Sequence, residues 1–452
     1  MVLRYRRELS HAGYIKLVDA GYKALGYGKV QGAREKVARW EGGVTPELEA
    51  QYVIAHIEGV PREEVLRRPW PAWLYLATGH AQLLTAPWTN HNTLQALTGV
   101  ARTNTTAPRD EFLLLTSVEE ADGLVHAWRN ALACTESVLS SGSRRIGAEA
   151  LDLLEQRHEA TRHLYLCLGA QIARPAADAD LELLVRLCRT ARGDEKTIAR
   201  LYGQAARAAL ASGWTTYDSG DQGRAQACFL TALRAASTAR DLQFGVFAML
   251  LLAKQQFEVA GPGTAMPLFE AARDILKRSR PNPRLTMQID ACMAGAYARL
   301  GDASAFDRLT DAAFANCADG SQGDAPDFAP WINEDYLALM AATAATDLGQ
   351  PERALAWLEP VLGKAGENTG CGVTPRDTAC HLASAGRAYL AVGHTSAALR
   401  SAERVAGHLT DSPSYEAQLA FDRLRTSLAR HGHAPALHDL LHRTGVAVTG
   451  AG

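Results

Sequence analysis

The chain has 452 residues, 47% hydrophobic and 21% charged, with a formal net charge of −2. That length exceeds one ordinary core and predicts two or three domains. The near-neutral balance excludes a whole-chain electrostatic pull toward nucleic acid or membrane, so local charge must carry any such argument. The start, MVLRYRRELS, is basic with no apolar stretch behind it, so no signal peptide is expected. The longest apolar runs, such as FAMLLLA at 247–253, are too short to span a bilayer. The eight cysteines are scattered without a CxxC pair. That usage predicts reduced core thiols and a cytoplasmic protein with no membrane partner, a regulatory Cys371–Cys380 disulfide being the alternative.

Residues 1–75 are expected to form a small helical domain. A helix over Ile15–Leu25 is followed by the turn GYG at 26–28, and a second helix runs over Gly32–Trp40. Gly42 and Gly43 end it, and Pro46 suits the start of a third over Glu47–Ile57. A further helix opens at GVPREEVL, 59–66. The first 40 residues hold nine Lys/Arg and three Asp/Glu, a local surplus of basic charge. In the 32–40 helix Val37 and Trp40 face the core, whereas Arg34, Lys36 and Arg39 face away. A helix pair with a short glycine turn and a basic second helix has the geometry of a helix-turn-helix in the major groove. Arg34 and Lys36 are then the candidate base readers, while Arg39, Lys29 and Arg6 suit phosphate.

VARWEGGVTP resembles the xenobiotic-response-element (XRE) family of lambda-repressor-like domains at Val37, Arg39, Trp40, Glu41, Gly43 and Pro46. IEGVPREEVL resembles that family's closing helix. The chain departs from the family in lacking the glutamine entry to the second helix, in Gly32 where a polar cap is usual, and in Glu35, which opposes phosphate. Further on, RRPWPAWL, LTAPWTNHNTLQAL, RDEFLLLT and a set of glycine-turn repeats resemble, in that order, a group of actinobacterial regulators. Those join such a DNA-binding domain to a tetratricopeptide-like array. The resemblance implies a transcriptional regulator that binds DNA.

Residues 76–195 read as a helical connector. Two long helices are expected over Val118–Ser140 and Ile146–Ala170, and a shorter one over Asp178–Ala191, punctuated by Pro87, Pro108 and Pro175. From 196 to 445 alanine- and leucine-rich stretches alternate with turns at Gly220, Gly261, Gly301, Gly349 and Gly393. Their spacings of 41, 40, 48 and 44 residues predict stacked helix pairs, an α-solenoid. ASGWTTYDSGDQGRAQACFLTALRAASTA resembles a tetratricopeptide repeat at Tyr217, Gly220, Ala225, Phe229 and Ala232. The stretches 318–328 and 366–375 read as loops. The fold class is therefore all-α: a small amino-terminal helix-turn-helix-like domain followed by an α-solenoid of tetratricopeptide-like helix pairs.

Catalytic signatures end in near misses. HEATRH, 158–163, has one residue too many for a zinc-protease motif, which puts His158 and His163 on different helix faces. GYGKVQG lacks the spacing for a dinucleotide, and there is no GxxxxGK[ST] or GxSxG. The tail HGHAPALHDLLH places His438 and His442 four apart, beside His431 and His433, yet terminal histidines are usually exposed polar residues. No enzymatic activity, cofactor or metal is expected. The leading expectation is a DNA-binding regulator, acting as a homodimer because one such module has little affinity alone. Its array would hold a peptide, protein or small-molecule effector. Tyr202, Arg207, Trp214, Gln255, Tyr297, Tyr336 and Tyr389 lie on first helices of the pairs and are the groove candidates. The alternative is a tetratricopeptide scaffold that does not bind DNA and acts through protein–protein contact.

Overall fold

A computed structural model describes residues 4, 9–30, 35–71, 73–74, 82–102, 113, 115, 117–133, 142–278, 281–319, 328–329, 332–365 and 374–432. Its secondary structure there is helical apart from one parallel bridge between β1 (Arg144–Arg145) and β2 (Ala191–Arg192). No helix among these residues is long and apolar enough to cross a membrane.

The amino-terminal cluster contains α1 (His11–Ala24), α2 (Glu35–Glu41), α3 (Leu48–Ile57) and α4 (Arg62–Arg67). Ser10 caps α1 by accepting from the Gly13 N–H at 3.1 Å. Tyr14, Val18 and Tyr22, four apart, form its buried stripe. Gly21 lets α3 approach, since a Cβ there would lie 2.7 Å from Val53 Cγ1. Val37 enters the same core, which Val53, Ile54, Val65 and Trp73 complete. Trp40, expected inside with Val37, is only half-buried against the rim of that core. Trp73 donates its indole N–H to Gln51 Oε1 at 3.2 Å, so the buried indole is satisfied. Arg68 reaches out of the cluster to Glu120 at 2.5 Å.

Glu120 belongs to α7 (Val118–Ala133), which follows α5 (Gln82–Thr85) and α6 (Asn90–Arg102). α8 (Ala148–Leu168) and α9 (Ala170–Thr190) come next, separated by Gly169 at φ 79°. The sequence expects a shorter third helix starting at Asp178, because Pro175 reads as a break. The helix instead starts at Ala170 and holds Pro175 within its first two turns. The carbonyl that proline leaves unpaired, on exposed Gln171, can turn to water there.

The helix pairs then run in order. They are α10 (Glu195–Asp218) with α11 (Gln222–Ala239), α12 (Leu242–Val259) with α13 (Pro262–Lys277), and α14 (Pro283–Arg299) with α15 (Ala303–Asp319). They continue with α16 (Glu334–Asp347) and α17 (Pro351–Ala365), then α18 (Pro375–Ala391) and α19 (Thr395–Asp411), and end with α20 (Tyr415–Arg430). Gly220, Gly261, Gly301, Gly349 and Gly393 have φ of 90°, 91°, 78°, 81° and 84°, the left-handed turn that only glycine adopts cheaply. The next helix is capped at once, as by Asp221, which accepts from the Arg224 N–H. Ala225, Phe229, Ala232 and Leu233 of α11 are all fully buried against α10. Gly213 permits that closeness, since a Cβ there would lie 2.9 Å from Phe229. First helices also pack on one another, α14 on α16, α16 on α18 and α18 on α20.

The connector helices sit on this layer. Arg234 of α11, buried, donates to the carbonyls of Leu83, Ala86 and Pro87 at 2.8, 2.7 and 3.2 Å. Trp128 of α7 donates to Ser237 Oγ at 3.1 Å. The last helix returns to the first pairs. Ser414 donates to Asp218 at 2.6 Å, Tyr415 meets Tyr217 edge-on with centroids 5.8 Å apart, and Arg423 reaches Glu258 at 2.6 Å. Gly169 lies against Ser412, with room for no Cβ.

Candidate functional site

The inner face of the helix pairs holds a pocket of about 1010 Å³, part of it open to solvent. Its walls come from α8, α9, α10, α12, α14, α16 and the start of α18, with Phe328 from the loop before α16. The first helices supply these walls because their second helices cover the outer side.

One end of the pocket is aromatic and apolar. Phe244, Phe247 and Phe328 form a trio with centroids 5.0–6.2 Å apart. The Arg207 guanidinium stacks over Phe244 at 4.8 Å and is held by Asp241 at 3.6 Å. Leu210, Ala211 and Leu251 continue this wall. His158 of α8 faces the same end. Burial, helped by Arg207, lowers its pKa, so its ring is neutral near pH 7.

The other end is a charged aromatic cluster. Two cations approach the Trp214 ring, Lys254 Nζ at 5.2 Å and Arg376 at 5.0 Å. Its indole N–H donates to Tyr165 Oη at 2.8 Å, and Arg376 donates to the same oxygen at 3.0 Å. Arg376 also pairs with Asp377 and, at 3.3 Å, with Glu416. Lys254 meets Glu416 at 2.8 Å. Burial opposes every one of these charges. It would push Asp377 up, but Arg376 and the Thr374 hydroxyl hold its carboxyl down at about 2. Burial would likewise push Glu416 up, and Lys254 and Arg376 hold it below the usual carboxylate range. Lys254, despite its burial, is held above the usual lysine range by Glu416. Gln288, 3% exposed, also lines the cavity, and its Oε1 has no hydrogen-bond partner among the described residues. Among the described residues, Arg162, Arg207, Lys254 and Arg376 line the pocket against the single lining carboxylate of Asp377.

His381 lies one turn beyond Asp377 on α18. Burial pushes its pKa down to about 4, against the opposing pull of the Asp377 and Glu416 carboxylates. The folded protein therefore refuses a proton that the unfolded chain accepts near pH 6.5. Stability is expected to fall as pH drops from about 6.5 toward about 4, by roughly 3 kcal/mol from this group. Urea midpoints at about pH 7 and about pH 4.5 check this, and His381→Gln should flatten the difference.

The chain matches no protein-family model, and no curated protein resembles it significantly.

Of the groove candidates, Arg207, Trp214 and Tyr336 line the pocket. Tyr202 is buried in the main core, and Gln255 is turned to the Gln222 carbonyl at 2.7 Å. Tyr297 packs partly buried against that core, and Tyr389 donates outward to Glu359 at 2.9 Å. Tyr165, Lys254, Gln288 and Arg376 were not among the candidates. Thr374 lies within the stretch 366–375 read as a loop and Arg376 follows it, although Pro375 already begins α18. Tyr165 belongs to α8, within the part of the chain read as connector.

The basic candidates lie apart from the pocket. Lys29 and Arg39 are exposed, and Lys36 is half-buried with its ammonium 3.6 Å from Glu47. Arg34 and Arg6 lie outside the described residues, as do Cys371, His433, His438 and His442. His163 is exposed and pairs with Glu159 at 3.5 Å, whereas His158 lines the pocket.

Proposed function

We propose that the protein is a DNA-binding transcriptional regulator, homodimeric on its site, in which a tetratricopeptide-like α-solenoid reads an effector. The outer face of α2 carries this reading. Val37 anchors that helix in the core of the cluster, so Lys36 and Arg39 stand on the side away from it. The cluster is tied to α7 through Arg68 and Glu120, and α7 packs on α13. A change in the helix pairs thus has a mechanical route to the DNA-reading end. The pocket gives the effector a place, since concave sites with apolar walls and a few convergent polar groups are where small ligands bind.

A second reading is favoured by the Lys36–Glu47 contact, which partly neutralises the basic face. On that reading the protein is a tetratricopeptide scaffold without DNA, acting through other proteins.

Genome-wide DNA capture separates them. The tagged protein is compared with a variant carrying Arg34→Ala, Lys36→Ala and Arg39→Ala. Sharp peaks lost in the variant are expected. Absent peaks, or peaks the substitutions leave untouched, would transfer the assignment to the scaffold. A pocket-filling Ala211→Trp variant, with the basic residues intact, is expected to change peak heights at unchanged positions. Unchanged heights would detach the pocket from regulation.

A further inference from the structure

The pocket is not equally suited to every effector. A peptide brings an amide donor and acceptor with each residue, and each needs a partner once buried. The middle of the cavity offers Leu210, Ala211, Phe247 and Leu251, which supply none. The body of a bound molecule must therefore be apolar.

His158 Nδ1, buried beside the phenylalanines, has no partner among the described residues, but the cationic capacity that suits an anion lies at the Lys254 end. Lys254 has three donors, and Glu416 takes one of them at 2.8 Å. Gln288 brings a buried amide whose Oε1 has no partner among the described residues, and rotation about its last bond exchanges Oε1 for Nε2. Arg207 at the far end is stacked on Phe244 and Phe328 and held by Asp241. On α12, Phe244 and Lys254 are ten residues apart, which is about 15 Å of helix.

Resting on the reading of this cavity as the effector site, we propose that the effector is an elongated apolar carboxylic acid. Its carboxylate sits against Lys254 and Gln288 beside Trp214, and its chain runs toward Phe244, Phe247 and Phe328. The Lys254 ammonium supplies the charge-assisted hydrogen bond, and the Gln288 amide donates to the second oxygen. The chain of the acid needs no partner along its length, which suits the wall of Leu210, Ala211, Phe247 and Leu251.

Isothermal titration of the full chain with decanoate, and with decanol as the uncharged match, tests this. Decanoate is expected to bind and decanol to bind about ten-fold more weakly or worse. Lys254→Met should weaken decanoate about ten-fold and leave decanol unchanged, and Gln288→Leu should weaken decanoate about five-fold. Melting curves of both variants show whether the fold is kept. If Lys254→Met does not fold, Gln288→Leu alone decides. Equal binding of decanol and decanoate, both abolished by Ala211→Trp, would overturn the acid and keep the pocket as a ligand site. No binding of either chain would overturn the acid too. In that event the Ala211→Trp effect on DNA occupancy still decides whether the pocket regulates.

Discussion

Asp178→Ala is expected to cost the protein about 3–5 kcal/mol, more than any surface substitution. Asp178 of α9 is 4% exposed and sits where three helices meet. It accepts from Ser212 of α10 at 2.5 Å and from Arg224 of α11 at 2.8 Å. Both side chains of the Arg224 pair are nearly dry, at 4% and 5% exposed. Removing the carboxylate strips Arg224 of the counter-charge that it meets at 2.8 Å inside the core, and that loss dominates the cost. Urea unfolding followed by circular dichroism measures it. The double variant Asp178→Leu with Arg224→Met should recover most of the loss, because it removes both charges together. A single variant as stable as the parent would mean that this buried pair does not hold α9 to the first helix pair.

Arg376→Met is expected to cost about 3 kcal/mol for a related reason. Arg376 joins α18 to α8 through Tyr165, to Asp377 beside it, and to Glu416 of α20. Its loss leaves Asp377 without its cation and returns Glu416 to Lys254 alone. It also strips one cation from the face of Trp214. The urea midpoint should drop. Arg376→Lys should recover only part of it, since an ammonium cannot serve Tyr165, Asp377 and Trp214 from one plane. An unchanged midpoint would mean that the contact from the first wall of the pocket to the last contributes nothing to stability.

These substitutions act at places of unequal legibility. The turn at Gly220 was readable because a left-handed residue has one cheap solution, and glycine followed by a capping aspartate is that solution written in two letters. Val37 was readable as core from helical spacing alone, and so were Phe229 and Leu233. Trp40 was not, because the rim of a small core holds a large ring by one face only. Pro175 misled, since on the exposed side of the helix water can take the one carbonyl that its missing N–H frees. The groove candidates were chosen by residue type on first helices. That rule finds Trp214 but cannot tell it from Tyr202, since both lie on α10 and face different neighbours.

The sequence by itself determined the all-α class, the turns at the five repeat glycines, and buried positions such as Val37, Phe229 and Leu233. These follow from local rules that act within one or two turns of chain. Only the tertiary structure decided that the chain returns on itself. Tyr165 meets Arg376, Asp218 meets Ser414, and Lys254 meets Glu416 across separations no periodicity encodes. Those contacts join distant walls around one pocket, and they gather the charges that burial would otherwise forbid. A buried charge is tolerable only beside its partner, and partners distant in sequence become neighbours only once the whole array has folded.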